Sequence, residues 1–405
     1  MRILHTSDWH LGRFFHRVDL IRAQAAFVDH LLDVVLAEGI GLVAVAGDVY
    51  DRALPGVDAV SLCDDAFARL ADAGAAVVVI SGNHDSAARL GFGSRLMAHA
   101  GVHVRSDPRR AAEPVLLPLP DGGQLAVYAV PYLEPDAVRP MMGAGVGRGH
   151  EAVLAAMLAR CRQDLAGRPG ARAVVLAHAF VRGGEASESE RDISVGGVSD
   201  VPLGVLDGFD YVALGHLHGR SRLAESVRYS GSPLAYSFSE QHHVKGSWIA
   251  DISSAGLGRV EFVASPVGRP LAAITGLLDD VLRSSEYDGY ADHFLSVTLT
   301  DVGRVDDAMT RVQRRFPHAV HLEWRPPAAG AGALRSYQER VAGKGALEIT
   351  RDFVEHARGS AVSVSEGALL VDAVERERQV PDKALVDSAA IADVSDQPLP
   401  LAEIA

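Results

Sequence analysis

The stretch "VVVISGNHDS" at residues 77–86 decides how this chain reads. Its β-branched apolar run suits a strand buried inside a sheet. The run stops abruptly in Gly82, Asn83, His84 and Asp85, which crowd an amide, an imidazole and a carboxylate into one turn. Occurring once, this would be an ordinary loop, with Asn and Asp hydrogen-bonded to their own backbone. The pattern occurs five times. "MRILHTSDWHLG" opens the chain and runs into Asp8 and His10; "GLVAVAGDVYDR" ends in Gly47, Asp48 and Asp51. "ARAVVLAHAF" ends in His178, and "FDYVALGHLH" in His216 and His218.

Helical patterns separate the first three strands. "RAQAAFVDHLLDVVLAEG" carries apolar residues at helical spacing, with Gly39 as its stop. Strands alternating with helices predict an α/β sheet, which binds ligands beyond the carboxyl ends of its strands. Five strands therefore deliver two carboxylates (Asp8, Asp48), the Asn83 amide and four imidazoles (His10, His178, His216, His218) to one region, with His84 to spare. Imidazole and carboxylate without thiolate suit Mn, Fe or Zn. Seven ligands exceed one ion, but a shared carboxylate can bridge two, as in centres that clamp the attacking and leaving oxygens of a phosphoryl displacement.

The ordered series Asp8-x-His10, Gly47-Asp48, Gly82-Asn83-His84-Asp85, His178 and Gly215-His216-x-His218 resembles the calcineurin-like metallophosphoesterases. "HTSDWHLGR", "GDVYD", "ISGNHDS", "SESERDISVGG", and "DYVALGHLH" followed by "RYSGSPLAYSFSE" narrow the resemblance to SbcD-type nuclease subunits of bacterial DNA-repair complexes. It is strong to about residue 268, weaker over the next sixty or so, and faint beyond. It implies a metallophosphoesterase β-sandwich flanked by helices over residues 1–270, a small β-α-β cap over 271–328, and a linker, partner-binding helices and acidic tail over 329–405. It further implies one metal on Asp8, His10, Asp48 and His218, and a second on Asp48, Asn83, His178 and His216, both expected to be Mn2+. His84 would act on the phosphoryl or leaving oxygen, oriented by Asp51 or, in its place, Asp85; as a loop carboxylate, Asp85 could equally cap a helix.

The expected activity is exonuclease and endonuclease cleavage of double-stranded DNA ends and hairpins in repair and recombination. An SbcC-like coiled-coil ATPase would gate it, within a heterotetramer holding two copies of each subunit. The rivals are a stand-alone phosphatase or phosphodiesterase and a scaffold on a dead phosphoesterase fold; no expected ligand is missing. The net charge of −13, from 39 basic and 52 acidic residues, does not advertise a nucleic-acid binder. Two divalent ions would reverse that sign where the phosphate sits. From Gln379 onward there are five Asp or Glu and one Lys, so the tail also weights the sum.

At 405 residues with 48% apolar content, the chain is expected to form two or three domains. Cys63 and Cys161 read as buried thiols of a cytoplasmic protein, and neither a signal peptide nor a membrane span is visible. "MMGAGVGRGHE" follows no strand and lacks Gly-Lys-Ser/Thr, so it reads as a connection, not a phosphate loop. No ATP signature is present. "FLSVTL", "RVDDAMTRVQRRF" and "AVHLEW" predict strand, helix and strand. On that helix Arg304, Arg311 and Arg315 form either a DNA-facing ridge or a solvated face. Beyond the Pro-, Gly- and Ala-rich "RPPAAGAGALRS", two helices are expected, the second opened by a Ser363/Glu366 capping box. Their apolar residues Phe353, Val354, Leu369 and Leu370 either dock on the ATPase or pack onto the catalytic domain.

Overall fold

In a computed structural model of the protein, the apolar runs become two six-stranded sheets laid face to face. The structure describes residues 1–143, 145–191, 200–327, 343–358 and 361–379. They fall into two compact units, Met1–Pro326 and Pro327–Ala405.

The first sheet orders its strands Gly256–Ala264, Gly246–Ser253, Arg2–Thr6, Ile40–Val45, Ala76–Ile80 and Val102–Arg105, the last four parallel. The second orders Ser221–Arg222, Val227–Tyr229, Tyr211–Gly215, Arg172–His178, Gln124–Val130 and Val115–Pro118, with the middle four parallel. Alternation divides each strand between two cores. Ile3, Leu42, Val78 and Ile80 meet Leu125, Val127, Leu176 and Tyr211 inside the sandwich. Leu4, Val43, Val45, Val77 and Val79 face helices Ile21–Glu38 and Val57–Asp72 through Phe27, Leu31, Phe67 and Leu70. Helix His150–Ala166 covers the second sheet with Val153, Leu154 and Met157. Both faces of both sheets are covered, which is why the strands read as unbroken apolar runs.

Helix Ile21–Glu38 ends where the sequence predicts. Gly39 turns left-handed (φ 60°) and its N–H caps the Val35 carbonyl. The segment around Gly143 to Gly149 joins helices Pro135–Met142 and His150–Ala166, and Ala144 lies outside the described residues. Cys63 and Cys161 are buried and free, and burial pushes both thiols up to about 12.

The same unit carries a third, parallel sheet of Leu271–Gly276, Phe294–Leu299 and Ala319–Trp324. Helices Leu278–Arg283 and Ala308–Arg315 close its core around Val281, Val297, Val312 and Phe316. The sequence reading found the last two strands but missed the first, whose paired alanines dilute the apolar pattern. It also began the last helix early: residues 304–305 are irregular and 306–307 form a turn, with Asp307 in the left-handed region (φ 52°). The small sheet seats on the sandwich through rings. Phe15 lies 5.3 Å from Phe294 and 5.1 Å from Phe238, and His16 lies 5.0 Å from His321.

The second unit shows helices Ala346–Arg358 and Val364–Gln379. The capping box forms as read: Ser363 donates to the Glu366 carboxylate at 2.7 Å and receives its N–H at 3.4 Å. The Ala- and Gly-rich stretch of residues 328–342 and the acidic tail from residue 380 lie outside the described residues. Among the described residues, no helix is long and apolar enough to cross a membrane.

Candidate metal centre

Parallel strands point their carboxyl ends one way, so the loops after residues 6, 45, 80, 178 and 215 meet at one rim. Backbone pairing continues past the strands and fixes the first two loops together. Asp8 N–H donates to Gly47 O at 3.0 Å, and His10 N–H to Asp48 O at 3.0 Å. Below them, buried Gln24 donates to His10 O at 2.7 Å and accepts from Gly12 N–H at 3.0 Å. Trp9, fully buried between Phe27 and Phe67, anchors the turn by donating to Thr6 Oγ1 at 2.9 Å.

Local conformation explains how small loops can crowd so many side chains together. Asp8, His10, Asp48 and His216 all have positive φ (54°, 45°, 49° and 106°), a region unfavourable to non-glycine residues and tolerated where the surroundings over-determine it. Only glycine fits beside them at two points. A Cβ on Gly82 would strike the Asp48 carboxylate, and one on Gly215 would strike the Ala46 carbonyl.

All seven expected ligands gather here. Asp8, His10, Asp48, His178, His216 and His218 are buried, and Asn83 is half-buried. Three groups (Asp8, His10, His218; Asp8, Asp48, His178; and His10, Asp48, His84) each place their ligand atoms within 4.8 Å of one another. Asp48 is central: its Oδ2 lies 3.7 Å from His10 Nε2 and 3.4 Å from His178 Nε2. The Asn83 Oδ1 sits 2.9 Å from His178 Nε2 and 3.2 Å from His216 Nδ1.

The donor count tests whether cations fit. His178 Nδ1 faces the Ala46 carbonyl at 2.9 Å, which can only accept, so Nδ1 carries the proton. In the neutral ring, Nε2 then presents a lone pair to two further acceptors, Asn83 Oδ1 and Asp48 Oδ2. His10 Nε2 and His218 Nε2 likewise face each other at 3.1 Å. His10 Nδ1 and Asn83 Nδ2 are buried without a hydrogen-bond partner among the described residues. Lone pairs converging in a buried space describe a cation site. Burial works against a charge on His178, yet Asp48 and Asp8 lift its pKa to about 9: with no cation beside them the buried carboxylates draw a proton onto this ring, the positive charge that a metal ion would supply in its place. Burial lifts Asp8 to about 6, and burial with neighbouring His178 drops His216 to about 3. Burial would also raise Asp48, but His178 and His10 hold it well below the usual carboxylate range. Two divalent cations satisfy this donor set.

A profile of the calcineurin-like phosphoesterases matches residues 1–220, more than half of the chain. The chain belongs to that family. It is a metal-dependent phosphoesterase, and its sandwich is the family's α/β fold. A second profile, SbcD_C, described as the Type 5 capsule protein repressor C-terminal domain, matches residues 267–358. Among solved structures, the chain is similar to a dimetal phosphatase from Danio rerio, with 15% identity and a TM-score of 0.39. That match covers 65% of this chain and 98% of the other.

The half-buried His84 stands at the edge of the centre. Its N–H donates to Asp48 Oδ1 at 2.9 Å and its ring meets His10 edge-on, with centroids 4.7 Å apart. The two carboxylates expected to orient it do other work. Asp51 reaches His84 Nδ1 only through its backbone carbonyl, at 2.9 Å, while its carboxylate lies against Arg13 (3.2 Å) and His10 Nδ1 (3.6 Å). Asp85 accepts three backbone N–H groups, from Val49, Tyr50 and Gly82, and so pins the loop that carries Asp48. Neither side chain orients His84.

Residues that the motif reading passed over support His218. Its Nδ1 lies 2.5 Å from Ser189 Oγ and 3.4 Å from Glu240 Oε1, and its N–H donates to Glu190 at 2.7 Å. Fully buried Glu240 pairs with Lys245, which also donates to His218 O at 2.8 Å. Burial opposes a charge on Glu240, but His218 and Lys245 hold its carboxyl well below the usual range. Burial drags Lys245 down although Glu240 pulls it up. Glu240 ends the block that carried the narrower resemblance, so a signal was present without a local chemical pattern to interpret it.

Of the three arginines expected to form a ridge, Arg315 is committed to the fold. It donates to Val281 O at 3.0 Å, Ser284 O at 2.6 Å and Asp288 at 2.6 Å. Arg311 makes a loose 3.8 Å contact with Asp279, and Arg304 lines a surface groove with Trp324. The three do not form one free ridge. In the second unit Phe353 and Leu369 are exposed, while Val354 and Leu370 are half-buried.

Proposed function

We propose that this chain is the nuclease subunit of an SbcCD-type complex. It would cleave phosphodiester bonds at double-stranded DNA ends and hairpins, in repair, recombination and replication in the cytoplasm, under the control of a coiled-coil ATPase. The observation that carries this reading is the pairing, in one chain, of a phosphoesterase profile over residues 1–220 with the SbcD_C profile over 267–358. A stand-alone phosphatase has no use for the second part. In this reading residues 271–328 are a cap beside the centre, and the helices beyond carry the partner contacts of a two-plus-two assembly.

Asp8, His10, Asp48 and His218 would hold one Mn2+, and Asp48, Asn83, His178 and His216 the other. The ions supply Lewis-acid stabilisation of the phosphoryl oxygens. The chain itself supplies position and protons. Asp48 joins the two halves of the ligand set and fixes the His84 backbone. The Asp51 carbonyl takes the Nδ1–H of His84, which leaves Nε2 as the nitrogen available to a substrate oxygen. Protonated there, His84 donates to a phosphoryl or leaving oxygen. Glu240 fixes the His218 tautomer.

Purified protein with Mn2+ is expected to cleave labelled duplex ends and hairpins, and to be bound by the ATPase through its C-terminal helices. Phe353→Glu with Leu369→Glu should abolish co-purification with the ATPase and leave the isolated nuclease folded and active. Rapid hydrolysis of p-nitrophenyl phosphate without attack on DNA would replace the nuclease reading with a phosphatase.

A further inference from the structure

Next to the centre, the first sheet ends in an arginine-lined cavity. Strand Val102–Arg105 lies parallel to Ala76–Ile80, with Arg105 opposite Ile80, three residues before Asn83. Neighbouring strands lie about 4.8 Å apart, so the end of this edge strand opens at the same rim as the ligand loops. A cavity of about 530 Å³ forms there, between the strand end and the short helices Ala87–Leu90 and Ser94–Met97. Arg95, Arg105, Arg109 and Arg110 line it, with Asp107 as the one acidic lining residue.

In a chain of net charge −13 this gathering requires a reason. Two of the arginines are accounted for: Arg109 pairs with Asp107 at 2.8 Å and Arg110 with Glu113 at 2.9 Å. Arg95 and Arg105 make no hydrogen bond or ion pair among the described residues, and Arg105 Nε is buried without a partner. Half-buried Arg105 is held below its ordinary pKa by desolvation and by Arg110, more than Glu113 offsets. A guanidinium so placed gains from an anion, and its planar fork matches phosphate oxygens. The rest of the wall is made of small or apolar residues such as Ala87, Ala88, Val104 and Ser106, with no aromatic ring on which a base could stack.

We propose that this cavity is a second phosphate site, holding a backbone phosphate of a DNA strand that runs off the metal centre, through Arg95 and Arg105. The proposal rests on the nuclease reading. A guanidinium pair held to a backbone phosphate positions the strand without regard to sequence, because phosphate contacts carry no base information.

The test is an Arg95→Ser/Arg105→Ser variant beside Arg95→Lys/Arg105→Lys, with duplex binding followed across a salt series. The serine variant should bind duplex about tenfold more weakly, with a slope of log K against log salt shallower by about 0.9 for each phosphate that a guanidinium no longer neutralises. The lysine variant should keep most of the slope, and all three proteins should hydrolyse bis(p-nitrophenyl) phosphate equally. An unchanged slope in the serine variant overturns the site. So does calorimetric binding of inorganic phosphate that the serine variant loses while its duplex slope stays the same, since the ligand is then a free anion. A wild-type protein that hydrolyses the small ester but neither binds nor cuts duplex overturns the nuclease reading, and the DNA assignment with it.

Discussion

His84 is oriented by the backbone of Asp51 and not by its carboxylate: the carbonyl oxygen lies 2.9 Å from Nδ1. A carbonyl is a fixed acceptor with no titration of its own, so the His84 tautomer does not depend on a second ionisable group. The Asp51 carboxylate is free to face Arg13 and His10 instead.

Substitutions at these positions should therefore separate cleanly. Asp51→Asn keeps the carbonyl and should cost activity less than about tenfold, whereas His84→Ala should cost about 10²–10⁴-fold, as for a general acid. His84→Ala should retain near-full metal content, while Asp48→Ala should lose both ions and all activity. Metal analysis beside steady-state kinetics checks all three. Because His84 also lies within reach of His10 and Asp48 as a third ligand group, loss of metal from His84→Ala would make it a ligand.

Glu240 and Lys245 form a buried pair beneath His218, and removing one partner strands the other charge. Lys245→Met should lower stability by about 3–5 kcal/mol, and the added Glu240→Gln should recover much of it. Glu240→Gln alone should weaken metal affinity by about 10–100-fold through His218. Thermal denaturation and metal titration of the double-mutant set decide this, and additive losses would mean that the pair does not act as a unit.

Arg304, Arg311 and Arg315 should divide by role. Arg315→Ser loses three hydrogen bonds and should destabilise the small sheet by about 1–3 kcal/mol. Arg304→Ser with Arg311→Ser should leave stability within about 0.5 kcal/mol and act, if these residues face DNA, on the salt dependence of duplex binding. Denaturant titration of each variant distinguishes the two behaviours.

Much of this architecture is legible because burial on both faces writes itself into composition. Val77–Ile80 has to be apolar throughout, and the polar residues that follow mark where the sheet stops. Strand ends carry chemistry in consecutive chain order, so Asp8, Asp48, Asn83, His178 and His216 can be collected before any coordinate is known. Contacts made at long range leave no such trace. Glu240 and Lys245 reach His218 from 22 and 27 residues away, across a loop without periodicity. Asp51 and Asp85 illustrate a different limit. Their identity as carboxylates is plain, but which atom faces His84 depends on backbone turns that no residue type specifies. The same holds for Arg315, whose spacing groups it with Arg304 and Arg311 while packing assigns it to the fold.

The ligands span a long reach of chain: Asp8 accepts the backbone N–H of His216, 208 residues later. No nascent or truncated fragment can hold the complete set, because both sheets have to be formed and docked before the last imidazoles arrive. The centre thus acts as an interlock on its own synthesis. Phosphoester hydrolysis here emerges only from a finished sandwich.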